Sequence, residues 1–195
     1  MSRDRLTNRI ASYRDNNPIV HMGKFLALIL RHSPETIGMK LDPNGWADVS
    51  ELLEKCKKHG KNLDFETLKK IVDTDNKKRY SFNEDFSKIR ASQGHSVDVD
   101  LGYTPKEPPE ILYHGTGDKS VESIQRTGLE KRGRNHVHLS KDIGTAAMVG
   151  KRHGSPAIFE VASGQMYKDG FKFFLSDNSV WLTEEVPSKY LKLIP

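Results

Sequence analysis

The spacing of apolar residues changes about halfway along this chain, and that change limits the folds open to it. Up to about residue 90, apolar side chains recur at helical spacing, as in Phe65, Leu68 and Val72. From residue 111 onward, short apolar runs are separated by Gly and Asp-Asn turns, which is typical of strands. Between the two patterns, the polar stretch Gln93-Gly94-His95-Ser96 and the proline-containing residues 97–110 are typical of a linker. The sequence therefore predicts an α+β protein with a helical first domain and a strand-rich second domain.

Residues 21–96 are predicted to form three helices followed by a small hairpin. The first helix is expected near residues 21–31, and Asp48 (or Ser50) and Asp64 are expected to cap the next two. Residues 37–41 are predicted to be extended, and the hairpin strands are expected at 79–82 and 86–90. This order is that of a winged helix, which usually binds nucleic acid but also occurs as a plain packing module. Residues 1–20 form a polar extension, with one short helix expected before residue 14 and no role assigned.

Residues 111–195 are predicted to form a strand-rich domain with few helices. Helices are expected at 120–126 and 141–149. The predicted strands lie at 111–114, 136–140, 157–161, 173–175 and 180–182.

Composition sets broad limits on the function. The net charge of +5 is compatible with a polyanionic partner, but it is spread over both halves of the chain and does not demand one. Cys56 is the only cysteine, which excludes a disulfide framework and a thiolate metal cluster. No apolar stretch approaches the roughly 18 residues of a membrane span, and the N-terminus lacks the apolar core of a signal peptide. We therefore expect a cytoplasmic protein.

Cations and histidines stand where predicted elements end. Arg31 and His32 fall in the last turn of the first helix, because Ser33-Pro34 forces the chain out of the helical region. A guanidinium beside an imidazole can bind an oxyanion, since arginine grips phosphate with two parallel hydrogen bonds. The alternative is a helix end whose last carbonyls simply favour cations. For Arg79 and Arg134, the corresponding alternatives are a solvated hairpin residue and a loop charge.

Several familiar sites are absent from the sequence. Gly115 and Gly117 lack the pattern of a nucleotide-binding loop, and no serine lies in a nucleophile elbow. His136 and His138 would share one face of a strand and could pair on a metal, but the sequence suggests no third ligand. We therefore predict no metal site.

Two sets of motifs resemble known families. A strand ending in His114-Gly115-Thr116, followed by a strand ending in Ser140 and then a helix, resembles the NAD-binding core of ADP-ribosyltransferases. Over residues 24–193 the chain resembles the RNA 2′-phosphotransferase family (KptA, the tRNA 2′-phosphotransferase). The blocks that carry this resemblance are Leu30-Arg31-His32-Ser33-Pro34, Gly45-Trp46, Arg79-Tyr80-Ser81, Ile89-Arg90-Ala91-Ser92-Gln93-Gly94-His95-Ser96, Leu112-Tyr113-His114-Gly115-Thr116, Arg134-Asn135-His136-Val137-His138-Leu139-Ser140 and Leu175-Ser176-Asp177-Asn178-Ser179-Val180-Trp181-Leu182-Thr183.

The resemblance implies a two-step reaction on RNA. The family removes an internal 2′-phosphate of the tRNA splice-junction type, with NAD⁺ as co-substrate and without a metal. An RNA-2′-phospho-ADP-ribose intermediate forms as nicotinamide leaves, and it resolves into 2′-OH RNA and ADP-ribose 1″,2″-cyclic phosphate. The implied fold is a winged-helix-like, RNA-phosphate-binding lobe over residues 21–96 and an ADP-ribosyltransferase-like, NAD-binding lobe over residues 111–195. The implied partners are 2′-phosphorylated RNA and NAD, with no membrane and no obligate protein partner.

The resemblance also implies which residues act. The implied catalytic set is Arg31, His32, Arg79 and Arg134. We expect its three guanidiniums to clamp one doubly charged phosphate, and His32 to protonate the departing 2′-oxygen or hold a phosphate oxygen. The implied NAD-binding set is His114, Gly115, Thr116, His138 and Ser140.

Two other functions stay open at this point. The same NAD pocket could serve an ADP-ribosyltransferase that modifies protein or the terminal phosphates of nucleic acid. A non-enzymatic winged-helix protein could bind RNA or DNA through its lysines, although the second domain would then have no explanation. The lysines available for such binding are Lys69, Lys70, Lys77 and Lys78.

Overall fold

The computed structural model describes residues 18–194, which form two compact units that divide between Val99 and Asp100. The short helix predicted before residue 14 lies outside the described residues. The first unit contains α1 (Pro18–Arg31), a 3₁₀ turn (Pro34–Ile37), β1 (Trp46–Asp48), α2 (Val49–Lys58), α3 (Phe65–Thr74), β2 (Tyr80–Phe82) and β3 (Lys88–Ala91).

The helices of the first unit begin at the side chains that the sequence marks as caps. Asp48 accepts a hydrogen bond from the Glu51 backbone N–H (2.8 Å), and Asp64 accepts one from the Thr67 backbone N–H (2.7 Å). Each carboxylate thereby pairs a backbone donor that the first helical turn leaves without a partner. Asp48, rather than Ser50, caps α2.

A three-stranded antiparallel sheet completes the first unit, with β3 between β1 and β2. Its core joins buried residues of α1 to the central strand, including Leu26, Leu30 and Ile89. Leu28 is 40 % exposed, although its neighbours in the sequence are apolar. The extended piece predicted at residues 37–41 is wrong at its start, because Ile37 ends a 3₁₀ turn over residues 34–37 and Gly38 is left-handed. Pro34 favours that turn, because its fixed φ suits a helical first position.

The second unit is built from short strands and short helices. Its helices are α4 (Val121–Thr127), α5 (Ile143–Gly150) and α6 (Ser163–Lys168), with 3₁₀ turns at Asp118–Ser120 and Ser188–Tyr190. Its strands are β4 (Leu112–Gly117), β5 (Leu129–Glu130), β6 (Val137–Leu139), β7 (Pro156–Val161), β8 (Phe174–Leu175), β9 (Trp181–Thr183), β10 (Glu185–Val186) and β11 (Leu191–Ile194).

These strands form three small antiparallel sheets. One has the order β11-β7-β4, one the order β6-β9-β8, and β10 pairs with β5. The backbones of Tyr113 and Ser140 exchange two hydrogen bonds (2.8 and 2.7 Å), which bring β4 beside the end of β6. The antiparallel sheets and separate helices agree with the predicted α+β class.

The segment that opens the second unit is hydrogen-bonded to the rest of that unit. The Lys106 N–H donates to the Phe173 carbonyl (2.8 Å), and the Asp177 N–H donates to the Tyr103 hydroxyl (3.1 Å). Further along, the Ser163 hydroxyl donates to the Pro109 carbonyl (2.7 Å). Residues 103–109 therefore contribute to the structure of the second unit.

Candidate active site

Arg31 and His32 stand at the C-terminal end of α1, where the sequence expects them. Arg31 is the last residue of the helix, and the backbone N–H groups of His32 and Ser33 both donate to the Leu28 carbonyl (2.9 and 2.8 Å). Ser33 then adopts φ −144° and ψ 66°, outside the helical region, as the following proline requires. The helix end thus presents two potentially cationic side chains next to each other.

Residues 94–96, predicted to belong to a linker, instead pack against this helix end. The Ser96 N–H donates to the Arg31 carbonyl (2.9 Å), and Ser96 Oγ is hydrogen-bonded to His32 Nδ1 (2.9 Å). Gly94 has a φ of +86°, and a Cβ placed there would lie 3.5 Å from Arg31 Nη1. The backbone therefore passes close beside the Arg31 side chain.

Tyr80 is the side chain that Arg31 and Arg79 share. The Arg31 guanidinium carbon lies 5.9 Å from the centre of the Tyr80 ring, and the Tyr80 hydroxyl donates to the Gly23 carbonyl (2.8 Å). Burial raises the pKa of Tyr80, while Arg31 and Arg79 act to lower it. Both guanidiniums are therefore near one phenol, and the structure brings Arg31, His32 and Arg79 together.

Asp75 fixes Arg79, and the sequence analysis did not single it out. Its Oδ1 accepts from Arg79 Nη1 (2.6 Å), and its Oδ2 accepts from the Arg79 backbone N–H (2.8 Å). An acid four residues before an arginine is a signal that could have found it. The side chain of Asp75 is 10 % exposed, so this pair is better shielded from solvent than a typical surface ion pair.

His95 is the buried member of this group. It is 1 % exposed, and its pKa is lowered to about 4, first by burial and then by Arg31, His32 and Arg90. The Leu30 carbonyl acts in the opposite direction, yet neither ring nitrogen makes a hydrogen bond of normal geometry within residues 18–194. The ring is therefore neutral at pH 7 among three side chains that carry or can carry positive charge.

Arg90 extends the positive charge of this region. Its guanidinium carbon lies 4.5 Å from the centre of a Trp46 ring, on the strand that pairs with β3. We call Arg31, His32, Arg79 and Arg90 the cation cluster. All four belong to the first unit.

In the second unit, His114 lies on β4 in a fixed tautomer. Its Nδ1 lies 3.1 Å from the His138 carbonyl, which can only accept, so Nδ1 carries the proton. Burial lowers the pKa of His114, with smaller contributions from His153 and Arg132, although the His138 carbonyl opposes them. The ring is therefore neutral at pH 7, and its Nε2 presents a lone pair.

His138 is held in the opposite tautomer. Its Nδ1 lies 3.1 Å from Nη1 of Arg134, and because a guanidinium only donates, Nδ1 must be the acceptor. The ring is then neutral with its proton on Nε2. Arg134 and His138 are thus brought together by the turn that leads into β6. We call His114 and His138 the histidine pair.

Gly115 is required by the packing of α5 against β4. A Cβ there would lie 1.7 Å from the Ala146 carbonyl oxygen, so the backbone of α5 rests directly on β4. Because strand residues alternate between faces, His114 and Thr116 point away from that helix. Thr116 is 8 % exposed, and Ser140 lies beside β4 through its backbone bonds to Tyr113.

The predicted site residues therefore fall into two groups, one in each unit. The first unit brings together Arg31, His32 and Arg79. The second unit contains Arg134 together with all the residues predicted to bind NAD. The sequence analysis gave no role to several neighbours of these groups, which are Asp75, Tyr80, His95, Ser96, Arg132 and His153.

His136 and His138 contact different side chains. His136 makes an edge contact with the Phe174 ring (centroids 5.7 Å apart), whereas His138 Nδ1 faces Arg134. Within residues 18–194 no group of three or more His, Cys, Asp or Glu side chains could hold a metal ion. The same residues include no helix that is both long and apolar enough to cross a membrane.

Comparison with known proteins gives one consistent result. The family model described as RNA 2′-phosphotransferase, Tpt1 / KptA family, matches residues 17–185. A probable RNA 2′-phosphotransferase of Flavobacterium johnsoniae is 61 % identical over 171 residues, which cover 88 % of this chain and 94 % of the relative. A protein of the same description from Fusobacterium nucleatum is 56 % identical over 174 residues, covering 89 % and 97 %. One from Trichormus variabilis is 51 % identical over 175 residues, covering 90 % and 96 %.

Proposed function

Because this chain belongs to the RNA 2′-phosphotransferase (Tpt1/KptA) family, we propose that it removes an internal 2′-phosphate from RNA with NAD⁺ as co-substrate. The products would be 2′-OH RNA, nicotinamide and ADP-ribose 1″,2″-cyclic phosphate, and the reaction would need no metal. The observation that carries this proposal is the cation cluster, in which Arg31, His32 and Arg79 converge around Tyr80 and Ser96.

The charge of the cluster suits a phosphate monoester. Arg31, Arg79 and Arg90 supply guanidiniums to this region, Asp75 is the ion-pair partner of Arg79, and His95 stays neutral. A phosphate monoester carries nearly two negative charges at pH 7. After the first step the phosphodiester carries one, and the attack of the ribose hydroxyl on phosphorus adds a second. Fixed guanidiniums stabilise that added charge, because they are already oriented when it develops. Arg31 and Arg79 would therefore clamp the phosphate, and His32 would hold or protonate an oxygen on it.

The histidine pair suits a ribose. His114 is neutral with its proton on Nδ1, so Nε2 accepts a hydrogen bond from a hydroxyl group. When bound, NAD⁺ would supply an anomeric carbon whose leaving group, nicotinamide, departs as a neutral molecule. The protein would orient the bound NAD⁺ through four side chains, those of His114, Thr116, His138 and Ser140. Gly115 allows α5 to pack against the other face of β4. Arg132 adds positive charge near His114, which a dinucleotide diphosphate would favour.

We extend the proposal to the architecture and location. Three helices and an antiparallel sheet of order β1-β3-β2, whose β2 and β3 follow the last helix, support a winged-helix-like, RNA-binding lobe over residues 21–96. Two three-stranded sheets with the histidine pair beside them support an ADP-ribosyltransferase-like lobe over residues 111–195. A cytoplasmic role in tRNA splicing would follow from the substrate.

The decisive experiment uses three short RNAs of one sequence. One carries a single internal 2′-phosphate, one carries only a 5′-terminal phosphate, and one carries neither. With NAD⁺ present, only the first should release nicotinamide and become 2′-OH RNA, and omission of NAD⁺ should abolish the conversion. Labelling of the 5′-phosphorylated RNA instead would favour a terminal-phosphate ADP-ribosyltransferase, and RNA binding without nicotinamide release would favour a binding protein.

A further inference from the structure

Ser96 is hydrogen-bonded to both Arg31 and His32. Its backbone N–H donates to the Arg31 carbonyl (2.9 Å), and its hydroxyl is bonded to His32 Nδ1 (2.9 Å). The two partners lie 64 and 65 positions earlier in the chain, so these contacts come from the tertiary fold. Nothing in the function proposed above explains them.

The residues before Ser96 explain why the contact is well defined. Gly94, at a φ of +86°, lets the chain turn against the Arg31 side chain, where a β-carbon would add strain. His95 is then buried at 1 % exposure beside Arg31 and His32. A buried neighbour on one side and a backbone hydrogen bond of its own fix Ser96, although its side chain is exposed.

A hydroxyl at Nδ1 has a chemical consequence for an imidazole. In a neutral histidine only one nitrogen carries a proton, and the bond at the other nitrogen decides which one. When Nδ1–H donates to the serine oxygen, the proton stays on Nδ1 through a reaction cycle. Any proton that the ring gives or takes must then pass through Nε2.

We propose that Ser96 is a positioning residue that accepts a hydrogen bond from Nδ1–H of His32 and thereby assigns proton transfer to Nε2. This inference rests on the proposed function. In the second step the attacking ribose hydroxyl forms a bond to phosphorus and loses its proton to water. As the bond from phosphorus to the 2′-oxygen breaks, that oxygen takes the Nε2 proton of the imidazolium form of His32. This leaves the neutral ring with its proton on Nδ1, and a proton from water then restores the imidazolium.

The kinetic test compares matched variants at position 96. Ser96→Ala should slow the second step by about 10- to 100-fold, part of the contribution typical of general acid catalysis, and leave nicotinamide release within about twofold. ADP-ribosylated RNA should therefore accumulate. Ser96→Thr keeps the hydroxyl at an exposed position and should restore the second step, whereas Ser96→Val has the same shape and should not. Ser87→Ala removes another exposed serine hydroxyl, one that donates to Asp85, and should behave as wild type.

A spectroscopic test does not depend on turnover. Nitrogen-15 spectra of the imidazole rings report the tautomer, and the His32 signals are identified by their loss in His32→Asn. Neutral His32 should be protonated on Nδ1 in the wild type and in Ser96→Thr, and should shift toward the Nε2-protonated form in Ser96→Ala.

The two tests separate the failure of this inference from that of the function. A wild-type protein that releases no nicotinamide from 2′-phosphorylated RNA would overturn the proposed function, and the nitrogen-15 result would still decide the role of Ser96. An unchanged His32 tautomer in Ser96→Ala would overturn the positioning role. Equal slowing of both steps in Ser96→Ala, or equal activity of Ser96→Val and Ser96→Thr, would do the same.

Discussion

The first unit gathers cations around its candidate site, whereas the second unit keeps its two site histidines neutral. In the cation cluster, Arg31 and Arg79 both lie near Tyr80, Asp75 pairs with Arg79, and His95 stays neutral. In the histidine pair, a carbonyl and a guanidinium fix opposite tautomers. The difference fits the division of labour that we propose, in which charge stabilises a phosphate and neutral rings with fixed tautomers orient sugar hydroxyls. The following experiments test that division.

Arg134→Ala should have the largest effect, because Arg134 is the one predicted catalytic cation that also sets a tautomer of the histidine pair. We expect 2′-phosphate removal to fall by about 10³-fold or more, since a preorganised donor typically contributes 10²–10³-fold and His138 loses its partner as well. Product formation on 2′-phosphorylated RNA measures it. Arg126→Ala, at an exposed position on α4, is the control and should keep full activity. Near-wild-type turnover of Arg134→Ala would remove it from the catalytic set.

Arg31→Ala tests the cation cluster alone. It should slow phosphate removal by about 10²–10³-fold and, unlike a change in the histidine pair, should let ADP-ribosylated RNA accumulate, because added charge on phosphorus appears in the second step. A denaturing gel would resolve that species. Arg31→Lys keeps the charge but not the fork of donors and should recover only part of the rate. Absence of the intermediate in Arg31→Ala would contradict the clamp.

Gly115→Ala and Gly94→Ala compare how tightly the two regions are packed. A Cβ at Gly115 meets the Ala146 backbone at 1.7 Å, whereas one at Gly94 meets only the end of the Arg31 side chain at 3.5 Å. Gly115→Ala should therefore cost about 3 kcal/mol or more of the free energy of unfolding, and Gly94→Ala roughly 1–2 kcal/mol for its positive φ. Denaturant titration of both variants measures the costs. Equal losses would show that the close approach at Gly115 is easily relaxed.

The last prediction concerns the pH dependence of stability. The pKa of His95 is about 4 in the folded chain and about 6.5 when unfolded, so between these values the unfolded chain binds the proton and the folded one does not. Stability should fall as pH drops from 6.5 to 4, by at most about 3 kcal/mol for this residue, and His95 should add no further loss below pH 4. Unfolding free energies of the wild type and His95→Phe at pH 7 and 4.5 measure this. An identical pH dependence in both would show that His95 is not the cause.

Local patterns predicted the long elements and their caps. Asp64 and Asp48 begin their helices as expected, and α5 and β7 lie within a residue or two of their predicted bounds. The two-residue strands β5 and β10 and the short helix α6 were not predicted, because so few residues show no periodicity. Their formation depends on partners far away in the sequence.

The sequence predicted the site residues by type and motif, but it could not predict their partners. Ser96 contacts a residue 64 positions away, and the neutral state of His95 depends on burial that no local pattern shows. Asp75 is the exception, because its spacing of four from Arg79 was visible in the sequence. A short sequence motif identifies candidate side chains. The tautomer of a histidine and the partner of a charged group can be determined only from the folded structure.

Because Gly115 contacts the backbone of α5, the three residues His114-Gly115-Thr116 are under two different constraints, one from folding and one from binding. Gly115 is constrained by packing against the helix on one face of the strand. Its two neighbours face the other side, where a ligand would bind. A library randomised at all three codons should return glycine at 115 under selection for soluble expression alone. Histidine and threonine should be enriched only when survival depends on turnover.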